Sequence, residues 1–213
     1  MKRTPLSPGP VAPKQARAVQ TRDHLLDVAG ELLGEVGIER ISTNMICARA
    51  GMTPPALYRY FKDKYAVLET LGQRLMDRQN EVLFAWLERH APNGIEALAL
   101  HIEDLLRDTA EVTATEPGGV WTERALRASP TLAHVRIASH RFVTDRIVDV
   151  YARLLPNASR ETLWSRIRLL VEYGYATDEM LSEEDRIPHE EILREAARTL
   201  RLMLRGMIEE QNS

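Results

Sequence analysis

Apolar residues recur at intervals of three and four along almost the whole chain, which is the spacing of amphipathic helices. The first such pattern begins at Thr21 and ends before Gly37, a residue type that often follows the last turn of a helix. Its apolar stripe consists of Leu25, Ala29, Leu32 and Val36. A second pattern runs from Thr43 to Ala50, after residues suited to cap it, Ser42 or Thr43 itself. No alternating strand pattern competes, so the sequence predicts an all-α protein.

Beyond residue 61 the pattern predicts a long helix capped by Asp63, with an apolar stripe that includes Leu71, Leu75 and Trp86. Proline and glycine clusters divide the remainder into further helices. The segment before Thr21 differs, because it is basic, rich in proline and free of aromatic residues. We therefore expect a disordered tail over residues 1–19, a small helical head over 20–66 and a larger helical body over 67–213.

The stretch AGMTPPALYRYF, residues 50–61, predicts a tight turn between two helices. Gly51 permits the turn, Thr53 is placed to cap the next helix, and Pro54 suits its first position because the N–H that proline lacks has no partner there. The small Cys47 lies four residues before Gly51, where a bulky side chain would keep the helices apart. Together these features predict a helix-turn-helix.

The helix after such a turn has the geometry of a recognition helix in the DNA major groove. Small residues at its start allow close approach to base edges, and hydroxyl and cationic groups suit phosphate oxygens. The residues predicted to contact DNA are Ser42, Thr43, Thr53, Pro54, Pro55, Ala56, Tyr58, Arg59, Tyr60 and Lys64. The alternative is a local aromatic mini-core with solvated lysines beside it.

Charge refines this interpretation. The formal net charge is −3, but residues 1–70 carry ten Lys/Arg against seven Asp/Glu. Without the basic tail that surplus disappears, so DNA contact would depend on individually placed residues. The apolar runs are too short for a membrane span, and a single cysteine, Cys47, excludes an internal disulfide. We therefore expect a cytoplasmic protein without membrane contact.

Three stretches of the sequence resemble those of a known protein family. They are DVAGELLGEVGIERIST in the first helix, AGMTPPALYRYF at the turn, and KDKYAVL after it. Over residues 21–71 the chain resembles the tetracycline repressor (TetR) family of bacterial transcription regulators. It departs from the family at Cys47, where alanine is usual, and at Pro54 and Pro55, where serine or glycine is usual. The resemblance implies a homodimer on a palindromic DNA operator, and a variable C-terminal domain that binds a small effector.

The body offers candidates for both of the implied functions. Aromatic and histidine side chains that suit an apolar effector pocket are Phe84, Trp86, Trp121, Phe142, Trp164, Tyr173 and Tyr175, with His101 or His140 as polar groups. The stripes expected at the dimer interface comprise Leu163, Ile167, Leu170, Gly174, Ala196, Leu200 and Met203. The alternative for each set is the ordinary core of one chain. Dimerisation also follows from the head, because two recognition helices about 34–36 Å apart read successive turns of DNA.

The sequence lacks the motifs that mark common classes of enzyme. HEEIL at 189–193 has Leu193 where a zinc-protease helix needs a second histidine, and there is no phosphate-binding glycine loop or nucleophile elbow. We expect no enzymatic activity, cofactor or metal. The remaining alternative is a helical protein-interaction module that does not bind DNA.

Overall fold

The computed structural model describes residues 13–211, and within them the chain is helical throughout, without a β-strand. This confirms the all-α prediction. The helices are α1 (Pro13–Arg40), α2 (Thr43–Ala50), α3 (Pro54–Tyr58), α4 (Lys64–His90), α5 (Ile95–Leu100), α6 (Ile102–Thr115), α7 (Gly119–Ala128), α8 (Ala133–Leu154), α9 (Arg160–Glu183) and α10 (His189–Gln211), with a 3-10 turn at Ala91–Asn93. None of these helices is long and apolar enough to cross a bilayer.

The first helix differs from the prediction at both ends. It begins at Pro13, so the disordered tail expected through residue 19 is wrong for residues 13–19, while residues 1–12 lie outside the described range. It also continues past Gly37, whose non-helical backbone (φ 75°, ψ 168°) kinks the helix before a last turn to Arg40. That turn is closed by the N–H of Ile41, which donates to the Gly37 carbonyl at 3.1 Å.

The long helix α4 links the two parts of the molecule. Its 27 residues span about 40 Å at 1.5 Å per residue. The predicted cap is present, because the Asp63 side chain accepts a hydrogen bond from the N–H of Ala66 at 2.8 Å. Leu71, Leu75 and Trp86 of its predicted stripe are buried.

Two hydrophobic cores lie along α4. The first is built by α1 to α3 and the first half of α4, but it also contains Leu126, Leu132 and Val135 from the body. The predicted boundary at residue 66 therefore falls inside a shared core. The second core holds the far end of α4 together with α5, α6 and α8 to α10.

Close backbone contact fixes the head to the body. Helix α1 meets the turn between α6 and α7 at Gly30 and Gly118, where a Cβ on Gly30 would lie 2.1 Å from the carbonyl oxygen of Pro117. Ion pairs cross the same joint, since Arg74 of α4 contacts Asp27 of α1 at 2.8 Å and the buried Glu116 at 2.7 Å. The head is therefore packed rigidly against the body.

Candidate functional site

Helix α2 begins and ends where local chemistry dictates, and its bounds match the prediction. At its start Ser42 is extended and its Oγ accepts a hydrogen bond from the N–H of Met45 at 3.3 Å. At its end Gly51 adopts the left-handed conformation (φ 65°, ψ 30°), which a residue with a Cβ adopts at a cost. The N–H of Met52 then donates to the Cys47 carbonyl at 2.9 Å. These bonds stop α2 and redirect the chain into α3.

Helix α3 is a single short helix of five residues that starts on the two prolines. Thr53 occupies the N-cap position with an extended backbone, and its carbonyl accepts from the N–H of Ala56 at 2.9 Å. Its side chain makes no capping bond, so the predicted hydroxyl cap is wrong. Pro54 fixes φ at the first helical position and supplies the rigidity that the missing cap would have given.

Burial divides α3 into an inner and an outer face. Leu57 is fully buried and anchors the helix to the core of the head. The exposed residues are Thr53, Pro54, Pro55, Tyr58 and Arg59, which we call the recognition surface. A short exposed helix directly after a turn is the arrangement that a recognition helix has in a helix-turn-helix.

The remaining predicted contacts surround this surface. The hydroxyl of Thr43, at the start of α2, lies 3.1 Å from that of Tyr58, so both oxygens are held at one place between the two helices. Ala56 is partly buried, as are Ser42 and Thr43. Tyr60 packs against the head core beside Phe61, at 6.4 Å between ring centroids. For Tyr60 the mini-core alternative therefore describes the structure better than a DNA contact.

Lys64 has a different role from the predicted one. Its Nζ donates to the carbonyls of Ile38 and Glu39 at 3.1 and 3.3 Å, so two carbonyl groups in the last turn of α1 have a hydrogen-bond donor. The ammonium group of Lys64 thus stabilises the head, and a DNA phosphate that contacted it would compete with these two carbonyls. The neighbouring Lys62 is exposed.

Comparison with known proteins matches this head. The family model described as bacterial regulatory proteins, tetR family, matches residues 25–71. The A-factor receptor protein of Streptomyces griseus is 39% identical over 70 residues, 33% of this chain and 24% of that protein. The tetracycline repressor protein class C of Escherichia coli is 38% identical over 55 residues, 26% of this chain and 25% of that protein. The chain thus spans about a quarter of the length of these relatives.

Two longer matches extend over the body. The HTH-type transcriptional regulator UidR of Escherichia coli K12 is 25% identical over 202 residues, 91% of this chain and 96% of that protein. A tetR-family transcriptional regulator from Streptomyces coelicolor has the same fold, with a TM-score of 0.69 at 17% identity over 91% of this chain and 86% of the other. The head is therefore similar to that of tetR family regulators, and the chain as a whole has the fold of one of them.

The body contains a partly open cavity of about 110 Å³. It lies between α4, α6, α8, α9 and α10, and its wall is mainly aliphatic and aromatic. Of the predicted pocket residues, Trp86 and Tyr175 line it. The indole N–H of Trp86 donates to the His101 carbonyl at 2.8 Å, which leaves only its apolar ring for the cavity.

The other predicted pocket residues lie elsewhere. Trp121 is 44% exposed and packs against Gly34 of α1, while Phe84 and Phe142 form an edge-to-face pair at 5.7 Å outside the cavity. His140 is fully buried behind Tyr175, with the two rings stacked at 3.9 Å. Trp164, Tyr173 and His101 do not line the cavity either. Aromatic character alone selected them, and it does not reveal which side of a helix faces inward.

The polar wall of the cavity was missed by sequence reasoning. Gln79 and Asp178 are 2% and 7% exposed, and the amide nitrogen of Gln79 donates to the Asp178 carboxylate at 3.2 Å. The Thr113 hydroxyl donates to the same carboxylate oxygen at 2.6 Å. Asn80 is paired with Ser139. No single stretch signals this cluster, because Gln79 and Asp178 are 99 residues apart.

A second buried carboxyl adjoins this cluster. Burial and the negative charge of Asp178 raise the pKa of Glu123 to about 8, and burial raises the pKa of Asp178 to about 6. Over residues 13–211, neither carboxylate forms an ion pair with a cationic side chain. Near neutral pH Glu123 is therefore mainly protonated, and the negative charge of this region is that of Asp178.

We expect Glu123→Gln to stabilise the protein in alkaline solution. In the native state the pKa of Glu123 lies above its ordinary value of 4.5. This group therefore costs the native state no stability below about pH 4.5, and the native state loses stability as the pH rises through about 8. The neutral amide avoids this loss. Urea unfolding should show the variant more stable by about 2 kcal/mol at pH 8.5, with the difference shrinking towards pH 5.

Glu111→Gln is the matched control, because Glu111 is exposed on α6. It should leave the pH dependence of unfolding unchanged. Equal pH profiles for wild type and Glu123→Gln would contradict the buried, raised-pKa carboxyl.

Most of the predicted dimer stripe packs inside the chain. Leu163, Ile167, Ala196 and Leu200 are buried in the core of the body, as the ordinary-core alternative has it. Leu170 and Gly174 line the cavity and are partly buried, and Met203 is 38% exposed.

Helix α9 has a second apolar stripe on its opposite side. Leu169, Tyr173, Ala176 and Met180 follow a spacing of four, three and four residues and are all exposed. Leu202 and Met203 are exposed on α10. We call these six residues the outer apolar face.

Proposed function

We propose that this protein is a DNA-binding transcription regulator, a repressor that binds a palindromic operator as a homodimer and leaves it when a small effector binds the body. It would act in the cytoplasm. The observation that carries the proposal is the recognition surface of α3, which is exposed while Leu57 anchors the helix from behind. The similarity of residues 25–71 to the tetR family of regulatory proteins supports the same function.

The proposal gives exposed residues of the recognition surface a role. The prolines and Ala56 bring the start of α3 close to base edges, which suits sequence preference. Tyr58, positioned by Thr43, and Arg59 flank this start and suit phosphate oxygens. One five-residue helix offers few contacts, so a second copy is needed for tight binding.

The outer apolar face supports the homodimer, because exposed apolar side chains that repeat along one side of a helix suit an interaction site. Paired across a two-fold axis, the same residues on both copies would meet. The cavity supports effector binding, since a concave apolar site with a few buried polar groups is typical of ligand sites.

The proposal is tested by gel shift with the DNA upstream of the protein's own gene, over a range of salt concentrations. We expect binding that weakens as salt rises, because phosphate contacts release counterions. Arg59→Ala should weaken binding on all sequences and reduce the salt slope by about one. Arg89→Ala, an exposed arginine at the far end of α4, is the control and should change neither.

The outcomes separate the two candidate functions. Absence of salt-dependent DNA binding by the wild-type chain would favour the protein-interaction module. An unchanged slope in Arg59→Ala would remove Arg59 from the interface while leaving DNA binding itself intact.

A further inference from the structure

The cavity of the body limits the size of what it can hold. Its volume is about 110 Å³, and an apolar cavity of about 150 Å³ is known to hold a benzene molecule. A ligand that fills it without displacing a helix is therefore about the size of one small ring or a short alkyl chain. Much of its surface would contact aliphatic side chains such as Leu83, Val143 and Leu204.

The polar wall specifies the chemistry of one end of that ligand. Asp178 presents a buried carboxylate whose Oδ2 accepts from Thr113 and Gln79. The side-chain oxygen of Gln79 is buried and accepts no hydrogen bond. A buried acceptor without a donor is costly, and such an atom on a cavity wall is satisfied when a ligand supplies the donor.

The charge of the side chains beside the cavity further narrows the class of ligand that it can bind. Asp178 and Glu123 are both buried at this place, and over residues 13–211 no cationic side chain pairs with either. One Oε atom of Glu123 is also buried without a hydrogen-bond partner. A cation in the cavity would be attracted by the Asp178 carboxylate, whereas an anion would be repelled by it.

We propose that this cavity binds a small lipophilic amine in its protonated form. The ammonium N–H groups donate to the Asp178 carboxylate and to the free oxygen of Gln79, and the hydrocarbon part fills the apolar remainder. The amine site itself does not depend on the proposed function. Only its consequence, that the amine is the effector, rests on that function. An alcohol of the same shape offers one donor and no charge, and a carboxylate offers charge of the wrong sign.

The test uses three probes of matched shape on the full chain without DNA: benzylamine, benzyl alcohol and benzoate, titrated calorimetrically at pH 7. We expect benzylamine to bind at least ten-fold more tightly than benzyl alcohol, and benzoate to bind least. Asp178→Asn should remove the preference for the amine while leaving benzyl alcohol binding within about two-fold. Asp185→Asn, an exposed aspartate in the loop after α9, is the control and should keep the preference.

A second variant locates the site independently of charge. Gly174 lines the cavity, and a Cβ there would meet only Leu106, at 3.9 Å. Gly174→Val should therefore fold normally, occupy part of the cavity and weaken binding of both the amine and the alcohol by at least ten-fold. Unfolding curves for each variant confirm that the chain is folded before binding is measured.

Several results would overturn the inference: equal or tighter binding of benzyl alcohol or benzoate, an amine preference that survives Asp178→Asn, or unchanged binding in Gly174→Val. Failure of the proposed function is distinguishable. An amine that binds as expected but leaves a protein–DNA complex intact in a gel shift would contradict effector release, and not the amine site.

Discussion

Leu169→Asp combined with Tyr173→Asp is expected to convert the protein from a dimer to a monomer and to weaken operator binding about 100-fold or more. The magnitude follows from tethering, because the second head of a dimer binds at a high effective concentration that a monomer lacks. Both side chains lie on the outer apolar face, at 62% and 36% exposed. Charge placed there repels its copy across a two-fold axis.

The protomer itself should tolerate these changes. Substitutions at exposed positions without special contacts usually alter the free energy of unfolding by less than about 0.5 kcal/mol. Light scattering after size-exclusion chromatography measures the mass, and gel shift measures the affinity. Leu100→Asp is the matched control, since Leu100 is a leucine on α5 that is 68% exposed. It should leave both measurements unchanged.

Two outcomes would contradict this interface. A wild-type chain that is monomeric at micromolar concentration removes the homodimer altogether. A double variant that remains dimeric places the interface elsewhere on the chain.

The two stripes of α9 show why the sequence could not assign the dimer residues. Leu163 and Ile167 lie on one side of the helix and Leu169 and Tyr173 on another, and each stripe has helical spacing. Periodicity identifies an apolar side, but it does not say whether the partner is the same chain or a second copy. The packing of α6, α7, α8 and α10 against α9 decides which stripe is buried.

The turn region could be predicted much better, because its signals are local. The caps Ser42 and Asp63 each bond an N–H three residues ahead, and Gly51 meets a backbone requirement of its own turn. By contrast, the partner of Lys64 is the end of α1, about 25 residues away. The polar wall of the cavity likewise joins α4, α6 and α9, which no local pattern connects.

Gly30→Ala is expected to destabilise the protein by about 3 kcal/mol, although alanine is the better helix former. At an open helical site the same change stabilises by about 0.5–1 kcal/mol. At Gly30 the added Cβ would lie 2.1 Å from the Pro117 carbonyl oxygen and 2.8 Å from its carbon. These are backbone atoms, so no side-chain rotation relieves the clash.

The surrounding contacts make relief by movement costly as well. Gly118 faces Gly30 at equally short range and has φ +66°, so the turn has little freedom to retreat. Displacing α1 instead would stretch the contact of Arg74 with Asp27, and displacing the turn would stretch that of Arg74 with the buried Glu116. Breaking one partner from a buried ion pair is itself strongly destabilising.

Gly206→Ala provides the matched control for this experiment. Gly206 is also helical, in α10, but a Cβ there meets nothing within 4 Å. Urea unfolding should therefore show opposite signs for the two substitutions, a difference of about 4 kcal/mol. Equal stabilities would mean that α1 does not dock on the α6–α7 turn. Since that joint sets the position of α3 relative to the body, a stable but displaced Gly30→Ala head should also lose operator affinity, whereas Gly206→Ala should retain it.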